Sequence, residues 1–328
     1  MSNGQIIIAN FNSEVLKNNP LQDPFIRQLP IYLPPGYAES KQNYPVIFLL
    51  GGFMNGGIKL LNREAFSEAI DERLNRLMST NIIQPMIVVM PDCFTYYGGS
   101  QYLNSSATGH YESYIINELV PYIKQTYRTA EPTKWTLMGK SSGGYGAMAL
   151  GMRHADMFGN IICHSGDMGF EYCYQPDFPD TVITLEKHQG IVGFMKHFYH
   201  KVKKDGRDIQ ALNTIAMAAA YSPNPTEPCG IEFPFDLHTG AIRPDIWQQW
   251  LQHDPVHMLE DYQTALKKLN IFFDCGIRDE CRLFAGARML STKMKALNIK
   301  HTYEEFDDTH RNTNYRYDRS LQFISDLL

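Results

Sequence analysis

The sequence predicts an α/β protein in which a mostly parallel central sheet is flanked by helices and carries a mainly helical insertion. Short apolar runs of the buried-strand type alternate with amphipathic segments before residue 168 and again after residue 262. Such alternation is typical of a parallel sheet covered by helices. Residues 168–262 lack it and are rich in proline and aromatic residues. Because a structureless loop of that length is unusual, we expect an inserted cap over 168–262 and a core made of 1–167 and 263–328.

Each strand of the core is predicted from its own apolar run. The predicted strands are 5–11, 27–33, 45–50, 86–90, 135–138, 159–164, 271–276 and 300–306. Helices are predicted from apolar residues at helical spacing between these runs. They are a helix capped by Asn62 with Phe66, Ile70, Leu74 and Leu77 on one face, a helix over 111–127 weakened at Pro121, one from Gly143, one over roughly 281–297, and a closing helix with Leu321, Ile324 and Leu328 on one face.

Composition excludes several classes of partner. The 328 residues carry a formal net charge of −5, which gives no electrostatic reason to expect binding to nucleic acid or to an anionic membrane. The first residues have no basic segment, and no apolar run approaches the length needed to cross a membrane. Six cysteines are sparse and form no C-x-x-C pair, which is typical of free thiols in a reducing compartment. We therefore expect a cytoplasmic location.

The strongest motif lies between a predicted strand and a predicted helix. Residues 139–143 read Gly-Lys-Ser-Ser-Gly and fit G-x-S-x-G, the sharp turn that exposes a nucleophilic serine at Ser141. Ser142 does not fit, because the position two before it is Lys140, but its amide N–H can face a developing oxyanion. A P-loop would require glycine at Lys134 and is rejected. A serine in an ordinary glycine-rich turn remains the alternative.

Partners for Ser141 are sought at the carboxyl ends of the later strands, where sites form in parallel sheets. His310 is the only histidine after the last predicted strand, and Asp279 follows the strand before it. The order serine, aspartate, histidine is that of α/β-hydrolases. Asp279 could instead cap the next helix, and Glu280 and Asp167 occupy comparable positions, so the identity of the acid stays open between them.

The glycine-rich loop after the third predicted strand is expected to supply a second oxyanion donor. The amide of Phe53 is the first candidate and that of Met54 the second. An ordinary glycine-rich turn without a catalytic role would have the same sequence pattern. Part of the insertion should roof the site together with Tyr96, Tyr97 and Tyr102, which gives an aromatic substrate pocket.

One pattern superficially suggests a metal. His253 and His257 have the spacing of a helical zinc pair, but Pro255 interrupts the helix and Asp254 stands where such motifs have glutamate. We expect no metal and no cofactor.

At these residues the chain resembles the putative-esterase family of α/β-hydrolases, which includes S-formylglutathione hydrolase (esterase D), feruloyl esterases and enterochelin-esterase-like proteins. The resemblance covers roughly 25–168 and 265–325, and it implies a triad of Ser141, Asp279 and His310. Its specific pieces are Tyr32-Leu33-Pro34-Pro35-Gly36-Tyr37, Gly99-Ser100-Gln101-Tyr102-Leu103-Asn104-Ser105, Glu118-Leu119-Val120-Pro121-Tyr122 and Gly139-Lys140-Ser141-Ser142-Gly143-Gly144-Tyr145-Gly146-Ala147.

The chain departs from the family at three places. Gly51-Gly52 replaces the usual His-Gly, Thr309-His310 replaces Gly-His, and Tyr145 stands where formylglutathione hydrolases usually have histidine.

Together these patterns predict a serine esterase that hydrolyses small carboxylic esters with short acyl groups through a Ser-His-Asp triad and an acyl-enzyme. The expected partner is a small-molecule ester, and a homodimer is left open. The alternatives are an acyltransferase or a peptidase with the same triad, or a non-catalytic binding protein on the same fold.

Overall fold

A computed structural model describes residues 3–328 and contains one large central sheet. Its strands are β1 (Gln5–Asn12), β2 (Ile26–Leu33), β3 (Val46–Leu50), β4 (Ile87–Val89), β7 (Trp135–Lys140), β8 (Asn160–His164), β9 (Asn270–Gly276) and β10 (Thr302–Phe306), and a separate small hairpin holds β5 (Asn104–Ser105) and β6 (Gly109–His110). The sheet order is β1-β2-β4-β3-β7-β8-β9-β10. β2 is antiparallel to β1 and β4, and all other adjacent pairs are parallel. The predicted mostly parallel sheet is confirmed.

Helices cover both faces of this sheet. They are α1 (Ile70–Ser79), α2 (Tyr111–Ser113), α3 (Val120–Thr126), α4 (Ser142–Arg153), α5 (Phe170–Cys173), α6 (Phe178–Lys187), α7 (Ile191–His200), α8 (Gly206–Tyr221), α9 (Pro244–Leu251), α10 (Pro255–Leu266), α11 (Leu283–Ala296) and α12 (Arg316–Ser325). α1 and α12 pack their buried residues on one face of the sheet. α3, α4 and the helices from α5 to α11 contribute to the larger hydrophobic core on the other face.

Two predicted helices differ from the structure. α1 begins at Ile70 rather than after Asn62, because Phe66 has a left-handed φ of 60° in a turn closed from Ser67 to the carbonyl of Glu64. Phe66 is fully exposed and does not join the apolar face. The helix predicted over 111–127 contains a wide π-helical turn immediately before Val120–Thr126. Proline at position 121 cannot donate a backbone hydrogen bond, and the wide turn accommodates it.

The segment between β8 and β9 contains the helices from α5 to α10. The last of them runs to Leu266 and packs against α4 and α11, so the boundary predicted at residue 262 lies inside a helix. Asp254 joins the two ends of this segment. Its carboxylate accepts the N–H groups of Gly169 (3.0 Å) and Phe170 (2.7 Å) at the start of α5, and that of Val256 (2.9 Å) in α10.

Among residues 3–328, the helices are too short or too polar to cross a lipid bilayer.

The Asp254 carboxylate should matter strongly for stability. Its side chain is fully buried, and Asp254→Ala would leave three buried N–H groups without acceptors. Since each such group costs about 1–3 kcal/mol, we expect the free energy of unfolding in urea to fall by about 3 kcal/mol or more. Asp245→Ala, at an exposed acid in the first turn of α9, is the control and should change it by less than about 0.5 kcal/mol. Equal losses in the two variants would contradict this role of Asp254.

Candidate active site

The candidate site lies where neighbouring parallel strands end. The loops after β3, β7, β8, β9 and β10 carry Gly52, Ser141, Asp167, Asp279 and His310 respectively. Because these strands are consecutive and parallel in the sheet, their carboxyl ends meet along one edge. One cavity is lined by residues from all five loops.

Ser141 occupies the sharp turn between β7 and α4 in a strained backbone conformation, with φ 58° and ψ −127°. Its N–H donates to the carbonyl of His164 on β8 (2.9 Å). The turn is compact only because glycine stands beside it: a Cβ atom on Gly143 would lie 2.1 Å from the carbonyl oxygen of Leu50. A Cβ atom on Gly139 would likewise lie 2.2 Å from the carbonyl oxygen of Gly143. The serine is therefore held out on a rigid turn at the end of the strand.

The structure brings Ser141, His310 and Asp279 into one hydrogen-bonded chain. His310 Nε2 lies 3.1 Å from Ser141 Oγ, and His310 Nδ1 lies 2.8 Å from Asp279 Oδ2. The Asp279 carboxylate is buried, and its Oδ1 accepts the N–H of Cys281 (2.9 Å). With Nδ1 protonated and bound to Asp279, Nε2 is the nitrogen that can take a proton from Ser141.

The other acids considered for this position have different contacts. Glu280 Oε2 accepts the backbone N–H of His310 (2.8 Å) and so holds the loop rather than the imidazole. Asp167 binds Ser142 Oγ (3.2 Å) and has no hydrogen bond to His310. α11 begins at Leu283, so Asp279 does not cap it. The backbone contact of Glu280 was missed by the sequence analysis, because no side-chain pattern marks a residue that binds a neighbouring loop's main chain.

The two backbone amides predicted to form an oxyanion hole, those of Phe53 and Ser142, belong to residues that line the same cavity as Ser141. A Cβ atom on Gly52 would lie 3.5 Å from Ser141 Cβ, so the loop after β3 contacts the serine turn. The amide of Met54 donates to the carbonyl of Gly98 (2.8 Å) and is occupied. Within the described residues, the N–H groups of Phe53 and Ser142 have no acceptor, and both residues line the cavity.

The three tyrosines predicted to bind substrate do not line this cavity. Tyr96 is exposed and stacks on Tyr199, with ring centroids 4.3 Å apart. Tyr97 is buried and its hydroxyl lies 3.5 Å from the carbonyl oxygen of Cys229. Tyr102 is buried, and its hydroxyl donates to the carbonyl of Gly51 at the base of the loop after β3. Tyr102 therefore supports the wall of the site from behind.

The cavity has a volume of about 640 Å³ and takes part of its wall from the segment between β8 and β9. That segment contributes mostly polar side chains, among them Tyr174, Asp177, Gln210 and Asn213. Most of its aromatic residues instead pack into the large hydrophobic core. The wall is therefore less aromatic than the sequence led us to expect.

Lys140 and Asp167 are charged side chains of the cavity with shifted pKa values. Burial lowers the pKa of Lys140, although Asp279 and other nearby carboxylates oppose that shift. Burial raises the pKa of Asp167, although hydrogen bonds from Gln101 and Tyr174 oppose it. Both shifts favour the uncharged form, as expected for groups removed from water.

Side chains that could bind a metal occur in two clusters of the described chain. Asp279 and His310 form one cluster with Cys281, but they are already hydrogen-bonded to each other. The other cluster is Glu171, Asp254 and His257. The carboxylate of Asp254 is engaged by backbone N–H groups.

The two histidines of the suspected zinc pair do not meet. His253 lies against the Arg153 guanidinium (3.4 Å) and is not part of the His257 cluster. The zinc-pair alternative therefore gains no support, and the expectation of no metal stays a prediction.

Labelling with a fluorophosphonate tests the hydrogen-bonded chain directly. The reagent should modify Ser141, and Asp279→Asn should slow labelling by about 10²–10⁴-fold because the imidazole loses the partner that fixes its tautomer. Glu280→Gln is the matched control: it keeps an oxygen for the N–H of His310 and should slow labelling by less than about tenfold. The rates are measured by mass spectrometry of the modified peptide. Wild-type labelling of Asp279→Asn would exclude Asp279 as the orienting acid.

Curated relatives match part of the chain. An uncharacterized protein of Bacillus subtilis (strain 168), YbbA, is 29% identical over an alignment of 158 residues that covers 44% of this chain and 58% of YbbA. The esterase Rv1288 of Mycobacterium tuberculosis (strain H37Rv) is 32% identical over 143 residues, or 42% of this chain and 28% of Rv1288. The chain thus spans less than two thirds of the length of either relative.

Solved structures match over nearly the whole chain and show the fold. A ferulic acid esterase is similar with a TM-score of 0.65 and 18% identity, covering 99% of both chains. The S-formylglutathione hydrolase of Agrobacterium tumefaciens is similar with a TM-score of 0.62 and 16% identity, covering 98% of this chain and 95% of its own. These likenesses confirm the predicted α/β-hydrolase fold.

A family pattern also matches most of the sequence. The pattern described as Putative esterase extends over residues 26–321 and includes the loops that carry Ser141, Asp279 and His310. This match confirms the predicted resemblance, and the chain belongs to the putative esterase family.

Proposed function

We propose that this protein is a serine esterase that hydrolyses small carboxylic esters with short acyl groups. The observation that carries the proposal is the series of hydrogen bonds from Ser141 through His310 to Asp279. Ser141 and His310 line a cavity together with Phe53 and Ser142, whose backbone N–H groups have no acceptor among the described residues. Membership of the putative esterase family supports the reaction class.

In the first half of the proposed reaction, Ser141 Oγ attacks the ester carbonyl carbon while His310 Nε2 takes the hydroxyl proton. Asp279 stabilises the imidazolium that forms. The amides of Ser142 and Phe53 stabilise the oxyanion, an effect usually worth more than any other single contact in acyl transfer. Collapse of the tetrahedral intermediate releases the alcohol, which takes the proton from His310, and leaves an acyl group on Ser141.

In the second half, His310 takes a proton from water as the water attacks the acyl-enzyme. A second tetrahedral intermediate collapses, the carboxylic acid leaves, and Ser141 recovers its proton.

The volume of the cavity supports the proposal that the substrates are small. Its volume of about 640 Å³ lies within the range of about 300–1,000 Å³ typical of small-molecule sites. Part of its wall comes from the segment between β8 and β9, and we propose that residues 168–262 act as a cap on the core. The cytoplasmic location stays a prediction.

Substitutions of the adjacent serines Ser141 and Ser142 test which of them is the nucleophile. Ser141→Ala should lower kcat on a short-chain aryl ester by about 10⁴-fold or more without lowering the melting temperature, because no acyl-enzyme can form. Ser142→Ala keeps the backbone amide and should cost less than about tenfold. Turnover near the wild-type rate in Ser141→Ala would exclude the proposed mechanism.

Tyr102→Phe distinguishes a supporting role from substrate binding. The variant loses the hydrogen bond to the Gly51 carbonyl, and a single bond of about 1 kcal/mol implies a fall in kcat of about fivefold with little change in KM. Tyr97→Phe, whose hydroxyl lies beside Cys229, is the control and should change neither constant. A raised KM with unchanged kcat in Tyr102→Phe would instead favour direct substrate contact.

A further inference from the structure

Asp167 is a buried acid in the cavity that the proposed reaction does not use. It follows β8, lines the cavity beside Ser142 and is only 6% exposed. Its Oδ2 atom accepts hydrogen bonds from Ser142 Oγ (3.2 Å), Gln101 Nε2 (3.1 Å) and the Tyr174 hydroxyl (2.8 Å). Three donors therefore converge on one oxygen of this carboxyl group, and these hydrogen bonds favour its ionised form, against the effect of burial.

The second oxygen of Asp167 is in a different situation. Among residues 3–328, Oδ1 accepts no hydrogen bond, whereas Oδ2 accepts three. A carboxylate has about four acceptor positions, and a buried one is costly unless those positions are used. Since Asp167 lines the cavity, Oδ1 is the oxygen that a bound molecule can reach.

The surroundings of Asp167 hold the carboxyl group in one orientation. Gln101 is almost fully buried and has a left-handed φ of 49°. Its amide nitrogen contacts Asp167 and the hydroxyls of Tyr174 (3.1 Å) and Tyr221 (2.9 Å). Its other amide atom, Oε1, is buried without a partner. Strain and an unpaired polar atom are costs that a protein retains mainly at functional positions.

We propose that Asp167 Oδ1 accepts a hydrogen bond from the substrate, so that the preferred esters carry a hydroxyl or protonated amine close to the scissile carbonyl. The proximity follows from Ser142, which binds Asp167 through its side chain and whose amide faces the developing oxyanion. This proposal rests on the proposed esterase function and names the substrate class of the same site.

The expected preference follows from the cost of leaving an acceptor unpaired. A site built to hydrogen-bond a substrate group rejects the analogue that lacks it far more strongly than a site that merely tolerates the group. Because the cavity is open to water, which can partly replace the missing donor, we expect about a 10- to 100-fold preference in kcat/KM.

Matched esters test this preference with the full-length wild-type protein. On the acyl side, 4-nitrophenyl 3-hydroxybutyrate and 4-nitrophenyl 3-aminopropionate are compared with 4-nitrophenyl butyrate. On the alcohol side, 2-hydroxyethyl butyrate is compared with propyl butyrate. A preference of tenfold or more for a donor-bearing ester, on either side, supports the proposal and identifies the side. Ratios within twofold in every pair overturn it, while Ser141-dependent turnover of 4-nitrophenyl butyrate leaves the esterase function standing.

Two variants assign the preference to Asp167. Asp167→Asn can keep an oxygen for the three buried donors, which turns the N–H₂ group toward the cavity, and the ratio should fall to about one or below. Asp177→Asn removes a different acid from the same cavity wall and should keep the wild-type ratio. An unchanged ratio in Asp167→Asn, or an equal fall in both variants, overturns the assignment. Should Asp167→Asn fail to fold, the wild-type ratios still decide the proposal.

Discussion

The site depends on the close approach of α4 to the ends of β3 and β7. Only glycine at position 143 fits there, because a Cβ atom would lie 2.1 Å from the carbonyl oxygen of Leu50 and 2.8 Å from that of Gly51, in the loop that continues to Phe53. The strained conformation of Ser141 is maintained because its N–H is bound to β8 and its turn has no room to relax. The turn that carries Ser141 and the loop after β3 are therefore held together by one packing constraint.

The core contains a second set of the same three residue types. His164 lies 2.7 Å from Asp274 Oδ1 and 2.8 Å from Ser320 Oγ, and Arg316 pairs with the other oxygen of Asp274. None of Ser320, His164 and Asp274 is more than 2% exposed. These contacts tie β8, β9 and α12 together. A serine, a histidine and an aspartate in contact can therefore form a purely structural network. Ser141 differs from Ser320 because it lines a cavity together with two residues, Phe53 and Ser142, whose N–H groups have no acceptor among the described residues.

Much of the core and of the candidate site could be predicted from the sequence. Buried parallel strands appear in it as apolar runs, and the carboxyl ends of adjacent parallel strands must meet at one edge of the sheet. Asp279 and His310 were predicted from such strand ends and Ser141 from its G-x-S-x-G motif, and the structure brings the three side chains into contact. The positions of Tyr96, Tyr97 and Tyr102 were not, because a loop's apolar residues give no sign of which side of it is covered. The start of α1 was misplaced because the left-handed turn at Phe66 overrides the apolar spacing. Which side of a loop is covered depends on contacts with parts of the chain that are distant in sequence.

The anchoring of both ends of the long segment by Asp254 has a consequence for how such a protein can diversify. Because Asp254 binds the N–H groups of Gly169 and Phe170, the start of this segment and a point near its end are adjacent. Tyr174, Asp177, Gln210 and Asn213 lie between these two points, so we expect insertions or deletions there to change mainly this wall of the cavity. In this arrangement the wall of the cavity can vary while the contacts of Ser141, His310 and Asp279 are kept, and the Asp254 carboxylate fixes the two points between which it varies.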